Sequence, residues 1–188
     1  MKRIYEAQLN ELLNLFPCVA IIGVRQCGKT TLLQDLPKPW QLYDMEKSSD
    51  SDMVSRDPEL FFRLHPAHIA LDEAQLLPEI FPALRVAIDA DRGTAGRFII
   101  TGSSSPDLIS AISESLAGRV AIIEMAPFTY AEANSQPISG ISQCIAQGTA
   151  LSNFLSLIPP KDELQAIHRY WYRGGYPEPW VKDTERFT

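Results

Sequence analysis

The sequence predicts an α/β fold built on a mainly parallel sheet. Two observations predict it. Short, branched apolar runs alternate with longer runs of helical spacing, and the alternation recurs down to about residue 125. The first apolar run, CVAII, is continuous, as in a strand covered on both faces.

Each element follows from its residues. Tyr5, Leu9, Leu12, Leu13 and Phe16 recur at helical spacing and predict an amphipathic first helix. CVAIIG (18–23) is the first strand, and KTTLLQDL follows as a helix stopped at Pro37. WQLYDM (40–45) is the second strand. PELFFRL (58–64) is a short helix with Pro58 in its first turn. HIALDE (68–73) is the third strand. In PEIFPALRVAIDADR (78–92), Ile80, Phe81, Leu84, Ala87 and Ile88 form one helical face. RFIITGS (97–103) is the fourth strand. SPDLISAISESLAG (105–118) is a helix with Pro106 near its start and Gly118 near its end. RVAIIEM (119–125) is the fifth strand.

After Met125 the texture changes. From Ala126 to Pro160 the one charged residue is Glu132. A short helix near 128–134, a loop and a helix near 148–157 are expected, and DELQAIHRYWYR is helical again. The organisation is therefore a main domain over 1–135, then a mostly helical linker over 136–188 that begins a second domain. The closing GGYPEPWVKDTERFT, with two prolines and several aromatics, reads as the start of a domain left incomplete.

A net charge of −6 gives no hint of nucleic acid. Cys18, Cys27 and Cys144 are odd in number and lack CxxC spacing, which argues against a disulfide framework and for a reducing cytoplasm. No apolar run approaches the ~20 residues that span a bilayer. The first sixteen residues carry acids through their middle, unlike a signal peptide.

The chemistry is carried by Gly23-Val-Arg-Gln-Cys-Gly-Lys-Thr30, which matches G-x-x-x-x-G-K-[ST] in full. Gly23 and Gly28 let the loop turn so that backbone N–H groups, through Arg25, Gln26 and Cys27, face phosphate. Lys29 reaches the β- and γ-phosphates, Thr30 ligates Mg²⁺, and Thr31 lies in the first helical turn. The bland alternative is a glycine-rich turn with a surface lysine. The motif's place between a buried strand and a helix opposes it.

HIALDE ends in two acids. Asp72 can face the metal shell and Glu73 a water at the γ-phosphate; alternatively both merely cap a strand end. FIITGSSS can place Thr101 or Ser103 near the γ-phosphate, with Ser103 slightly preferred, while Ser103, Ser104 or Ser105 can cap the next helix. Arg119 can stabilise phosphate charge in its own or a neighbouring chain, or pair with an acid such as Glu114.

GVRQCGKTTLL, LDEAQLLPEIFPALRVAIDADR, FIITGSSSPDLI and ESLAGRVAIIEM, in this order, resemble a bacterial and archaeal group of AAA+-type P-loop ATPases. In that group the ATPase domain is followed by a C-terminal domain of unknown function, whose entry RYWYRGGYPEPW resembles. The resemblance implies a three-layer sandwich with strand order 5-1-4-3-2. It implies Mg-dependent ATP hydrolysis with Lys29 and Thr30 in the phosphate loop, Asp72 as metal acid, Glu73 as catalytic acid, Ser103 as sensor and Arg119 as arginine finger. It leaves the partner open: an unknown protein or the chain's own C-terminal domain, with homo-oligomers possible. A non-hydrolysing ATP switch, a phosphotransferase using the same loop and a nucleic-acid-stimulated motor are the alternatives.

Other residues are given plainer roles. His65 and His68, split by Pro66, are expected to face solvent or sit at the core edge rather than hold a metal, and His168 packs beside Trp171. Asp44, Glu46, Asp50, Asp52, Asp57 and Glu59 read as a solvated loop and helix start. Trp171, Tyr172, Tyr176 and Trp180 are expected to pack against the second domain rather than stack on bases. Cys27 has two readings: a reactive thiolate whose modification crowds the phosphate site, or a small residue that fits the loop.

Overall fold

The protein is described by a computed structural model over residues 3–136 and 164–182. The helix expected at 148–157 and Cys144 lie outside those residues. Strand β1 (Cys18–Gly23) is buried along its whole length. It pairs in parallel with β4 (Phe98–Ser103) on one side and β5 (Val120–Met125) on the other. Next to β4 runs β3 (Ile69–Asp72), then β2 (Gln41–Asp44) at the edge. The order β2-β3-β4-β1-β5 is the one the resemblance implies.

Successive strand residues point to opposite faces, so β1 feeds two cores. Cys18, Ala20 and Ile22 face one side, with Phe61 and Phe62 from α4 (Pro58–Leu64), Phe81, Leu84 and Ile88 from α5 (Ile80–Ala90), and Leu108 and Ile112 from α6 (Pro106–Ser115). Val19 and Ile21 face the other, with Leu9 from α1 (Tyr5–Leu13) and Leu32 and Leu33 from α2 (Lys29–Gln34). Three layers result, with β1 an interior strand of the middle layer, between β4 and the edge strand β5.

Local chemistry sets the ends. The Asp57 carboxylate caps α4 by accepting from Leu60 N at 2.9 Å. Of the three serines offered as caps for α6, Ser105 does the work, accepting from Leu108 N at 3.3 Å. One expectation needs correction. Residues read as a solvated acidic loop form α3 (Ser48–Ser55), a helix that buries Val54 and whose Asp50 accepts from Asp44 N at 3.1 Å. The histidines are packing residues: His65 lies 4.8 Å from the Phe61 ring and His68 stands edge-on to Trp40 at 5.4 Å.

The chain divides into two compact units. Tyr5–Ala126 holds the sheet, and Met1–Ile4 joins Pro127–Thr188 in the other. In the second unit α7 (Tyr130–Ala133) opens with a capping box. Glu132 Oε2 accepts from Thr129 N at 2.8 Å, and Glu132 N donates to Thr129 Oγ1 at 3.3 Å. Glu132 Oε1 accepts from Arg3 Nε at 2.8 Å and Ile4 N at 3.0 Å. The unit also contains α8 (Leu164–Arg173), where His168 lies 5.8 Å from Trp171, and α9 (Pro177–Val181). Tyr170 Oη donates to Phe128 O at 2.8 Å.

Burial pushes the Glu132 carboxyl up, but the Thr129 and Ile4 N–H groups and Arg3 outweigh it and hold it below the usual carboxylate range. A carboxyl held low contributes stability that is complete above its unfolded value, about 4.3. That contribution is lost as pH falls through the folded value. Acidification below about pH 4 should therefore loosen α7 before the sheet unit, and Glu132→Gln should remove this pH dependence. NMR shifts of the Thr129–Ala133 amides across a pH titration check it.

Candidate nucleotide site

The carboxyl ends of β1, β3 and β4 bring the motif residues together. Gly23 ends β1 against β5: a Cβ there would lie 2.3 Å from Met125 O, so only glycine lets the loop start so close to its neighbour. Gln26 (φ 63°) and Gly28 (φ 100°) are left-handed, and they turn the chain back into α2. Arg25 and Gln26 are exposed, with Arg25 3.9 Å from Glu46. Thr30 is half-buried and Thr31 exposed.

Lys29 is not a surface lysine. It is 4% exposed. Its Nζ donates to Gly23 O and Val24 O, both at 3.1 Å, and Glu73 Oε1 stands 4.0 Å away. A buried ammonium held mainly by carbonyls is a seat suited to an incoming anion. Cys27 is fully buried in the same core as Val19 and Ile21, which favours its reading as the small residue that fits the loop.

Asp72 and Glu73 are fixed separately. Thr101 Oγ1 donates to buried Asp72 Oδ1 and accepts from Glu73 N at 3.3 Å. This tie follows from register, since Thr101 lies one residue beyond the Leu71–Ile100 pair, as Asp72 does. Glu73 has φ 52°, a left-handed backbone that costs a non-glycine residue about 1–3 kcal/mol and is typical of functional sites. Its Oε2 accepts from Gln75 Nε2 at 2.5 Å.

Ser103 pairs with Gly23 and so stands beside the start of the loop, half-buried. Thr101 rather than Ser103 holds the two acids. The threonine ranks second in the sequence because register cannot be read from one strand alone.

Arg119 is not brought here. It precedes Val120, which pairs with Cys18 at the amino end of β1, whereas the loop leaves the carboxyl end. Five residues of strand separate the two levels, roughly 17 Å at about 3.3 Å per residue. Its partner is Asp89, with Nε–Oδ1 and Nη2–Oδ2 both at 2.8 Å, while Glu114 accepts from Ser110 instead. The hydrogen-bonded Arg119 lowers the Asp89 carboxyl below its ordinary value.

A five-stranded parallel sheet with a glycine-turned loop after its first, fully buried strand defines a P-loop NTPase-like α/β fold. The chain belongs to the AAA domain family, whose model matches residues 16–134. It is 40% identical over 173 residues to two curated relatives, the uncharacterized proteins Rv2008c of Mycobacterium tuberculosis and Mb2031c of Mycobacterium bovis. Those matches cover 91% of this chain and 32% of each relative, so the chain spans about a third of their length. In fold it is similar to the Walker-type ATPase PABY2304 of Pyrococcus abyssi (TM-score 0.61, 19% identity, 96% of this chain and 65% of that one). It is also similar to AMPPCP-bound DnaA from Aquifex aeolicus (TM-score 0.52, 12% identity, 96% and 57%). Family and fold together support ATP binding at a coarse level.

Thr101→Val keeps the shape of the side chain but leaves Asp72 Oδ1 and Glu73 N without their partner. The expected cost is about 1–3 kcal/mol of stability, read as a lower urea midpoint at unchanged slope.

Proposed function

We propose that the protein binds ATP with Mg²⁺ and hydrolyses it, moving its C-terminal part or a partner protein. The observation that carries this is the convergence of Lys29, Asp72 and Glu73 at the carboxyl ends of β1 and β3. Lys29 exchanges its carbonyl partners for β- and γ-phosphate oxygens. Thr30 and Asp72 offer the hard oxygens that Mg²⁺ prefers. Among the described residues no three acids, histidines or cysteines form a cage, and one carboxylate with a hydroxyl and phosphates fits the way Mg²⁺ is usually held. The ion would supply charge neutralisation on the phosphates.

Glu73 orients a water toward the γ-phosphorus and takes its proton, so that the new P–O bond forms as the bond to ADP breaks. Ser103, beside Gly23, is the residue to contact the γ-phosphate. Arg119 sits at the other end of the sheet, so a role for it on phosphate belongs to an assembly of copies, and would require release from Asp89. Among the described residues no helix is long and apolar enough to cross a membrane, and a cytoplasmic setting completes this reading.

Glu73→Gln should retain ATP affinity and lose phosphate release by about a hundredfold or more. Phosphate release and equilibrium binding, measured side by side, check it. Equal turnover in the variant would contradict the role of Glu73; tight binding without release in the parent would favour the switch.

A further inference from the structure

Gln75 follows Glu73 by two residues and belongs to a short 3-10 turn, Ala74–Leu76. Its Nε2 donates to Glu73 Oε2 at 2.5 Å. Its other amide atom, Oε1, is buried and accepts no hydrogen bond. The amide is thus held at one end alone, by the carboxylate. A glutamine placed for packing would leave a buried acceptor unpartnered for no return, and an apolar side chain would serve better there.

The seat of this side chain is built by β4. A Cβ added to Gly102 would lie 2.1 Å from Gln75 Oε1 and 2.5 Å from a Leu108 methyl. Glycine at 102 therefore gives the glutamine room to lie across the strand. The neighbouring Thr101 holds the backbone N–H of Glu73. One strand end thus fixes the glutamate twice, by its backbone through Thr101 and by its side chain through Gln75.

We propose that Gln75 is a positioning residue: it holds one carboxylate oxygen of Glu73 so that the other faces Lys29 and the phosphate site. The assignment rests on the reading of Glu73 as the acid that orients water. The geometry carries it because Oε2 is taken by Gln75 while Oε1 is the oxygen 4.0 Å from Lys29 Nζ. A carboxylate free to rotate would present its oxygen in the working direction for a fraction of the time, and small misplacements of a reacting group cost rate steeply.

The test is a cycle of Gln75→Met and Glu73→Gln, singly and together, with phosphate release from Mg-ATP, affinity for a non-hydrolysable ATP analogue and thermal midpoint measured for each. Methionine fills the volume and removes the orphaned acceptor, so the midpoint should hold or rise. Analogue affinity should stay within about twofold, and kcat should fall about ten- to a hundredfold. Because Gln75 acts through Glu73, the double variant should be no slower than Glu73→Gln alone. An active parent with unchanged kcat in Gln75→Met overturns the positioning role. So does a loss that repeats in full on the Glu73→Gln background. An inert parent overturns the hydrolase reading and the positioning role with it. A Gly102→Ala variant, which displaces the glutamine from the other side, should reproduce the kcat loss with analogue affinity kept; unchanged kcat there also counts against the role.

Discussion

An ammonium group cannot stay inside a protein without acceptors, and the Lys29 seat is the constraint from which the site follows. Its acceptors are Gly23 O and Val24 O, carbonyls that become available because β1 ends there and the chain turns away from the sheet. The turn is possible because Gly23 has no side chain to strike Met125 O, and because Gly28 accepts a left-handed backbone. Both depend on β1 lying fully buried between β4 and β5, in a register that sets Gly23, Ser103 and Met125 at one level. The hydrophobic core does not touch phosphate, yet it fixes the height at which the lysine is presented.

The acid side of the site has a different support. β3 delivers Asp72 inside the sheet and Glu73 just beyond it, where the backbone leaves strand geometry at φ 52°. A strained glutamate must be held by its neighbours. Thr101 takes its N–H and Gln75 takes its carboxylate, so the side chain is restrained before any ligand arrives. Lysine and glutamate then approach each other at 4.0 Å, close enough to attract and too far for a tight bond. At this spacing neither group is tied to the other by a hydrogen bond, so each can engage a group arriving at the open side of the site.

Much of this was legible in the sequence, and the exceptions share a cause. Short apolar runs placed all five strands to within a residue at either end. Strands β1, β3 and β4 are buried along nearly their whole length and read as unbroken apolar runs. The outer strands β2 and β5 expose residues such as Gln41, Ile122 and Glu124 and are legible from the strand–helix alternation. The glycines and lysine of the loop were legible because their conformational and chemical demands are local. Helix α3 was missed because SSDSDMVS has no apolar period; it buries one residue and is supported by Asp50 at the loop before it. The precedence of Thr101 over Ser103, the seat that Gly102 gives Gln75, and the distance of Arg119 from the loop all depend on strand register. Register is a relation between segments far apart in sequence, so no single segment displays it.

The most direct test of the central claim is equilibrium titration of the protein with Mg-ATP beside a Lys29→Met variant, with the thermal midpoint of each recorded. The predicted result is that methionine, which removes the buried charge at nearly constant length but leaves Gly23 O and Val24 O without their donor, lowers the midpoint by at most a few degrees and weakens ATP binding by about ten- to a hundredfold. Equal affinity in the two proteins would show that the buried ammonium is a structural feature of the loop and not the seat of a phosphate.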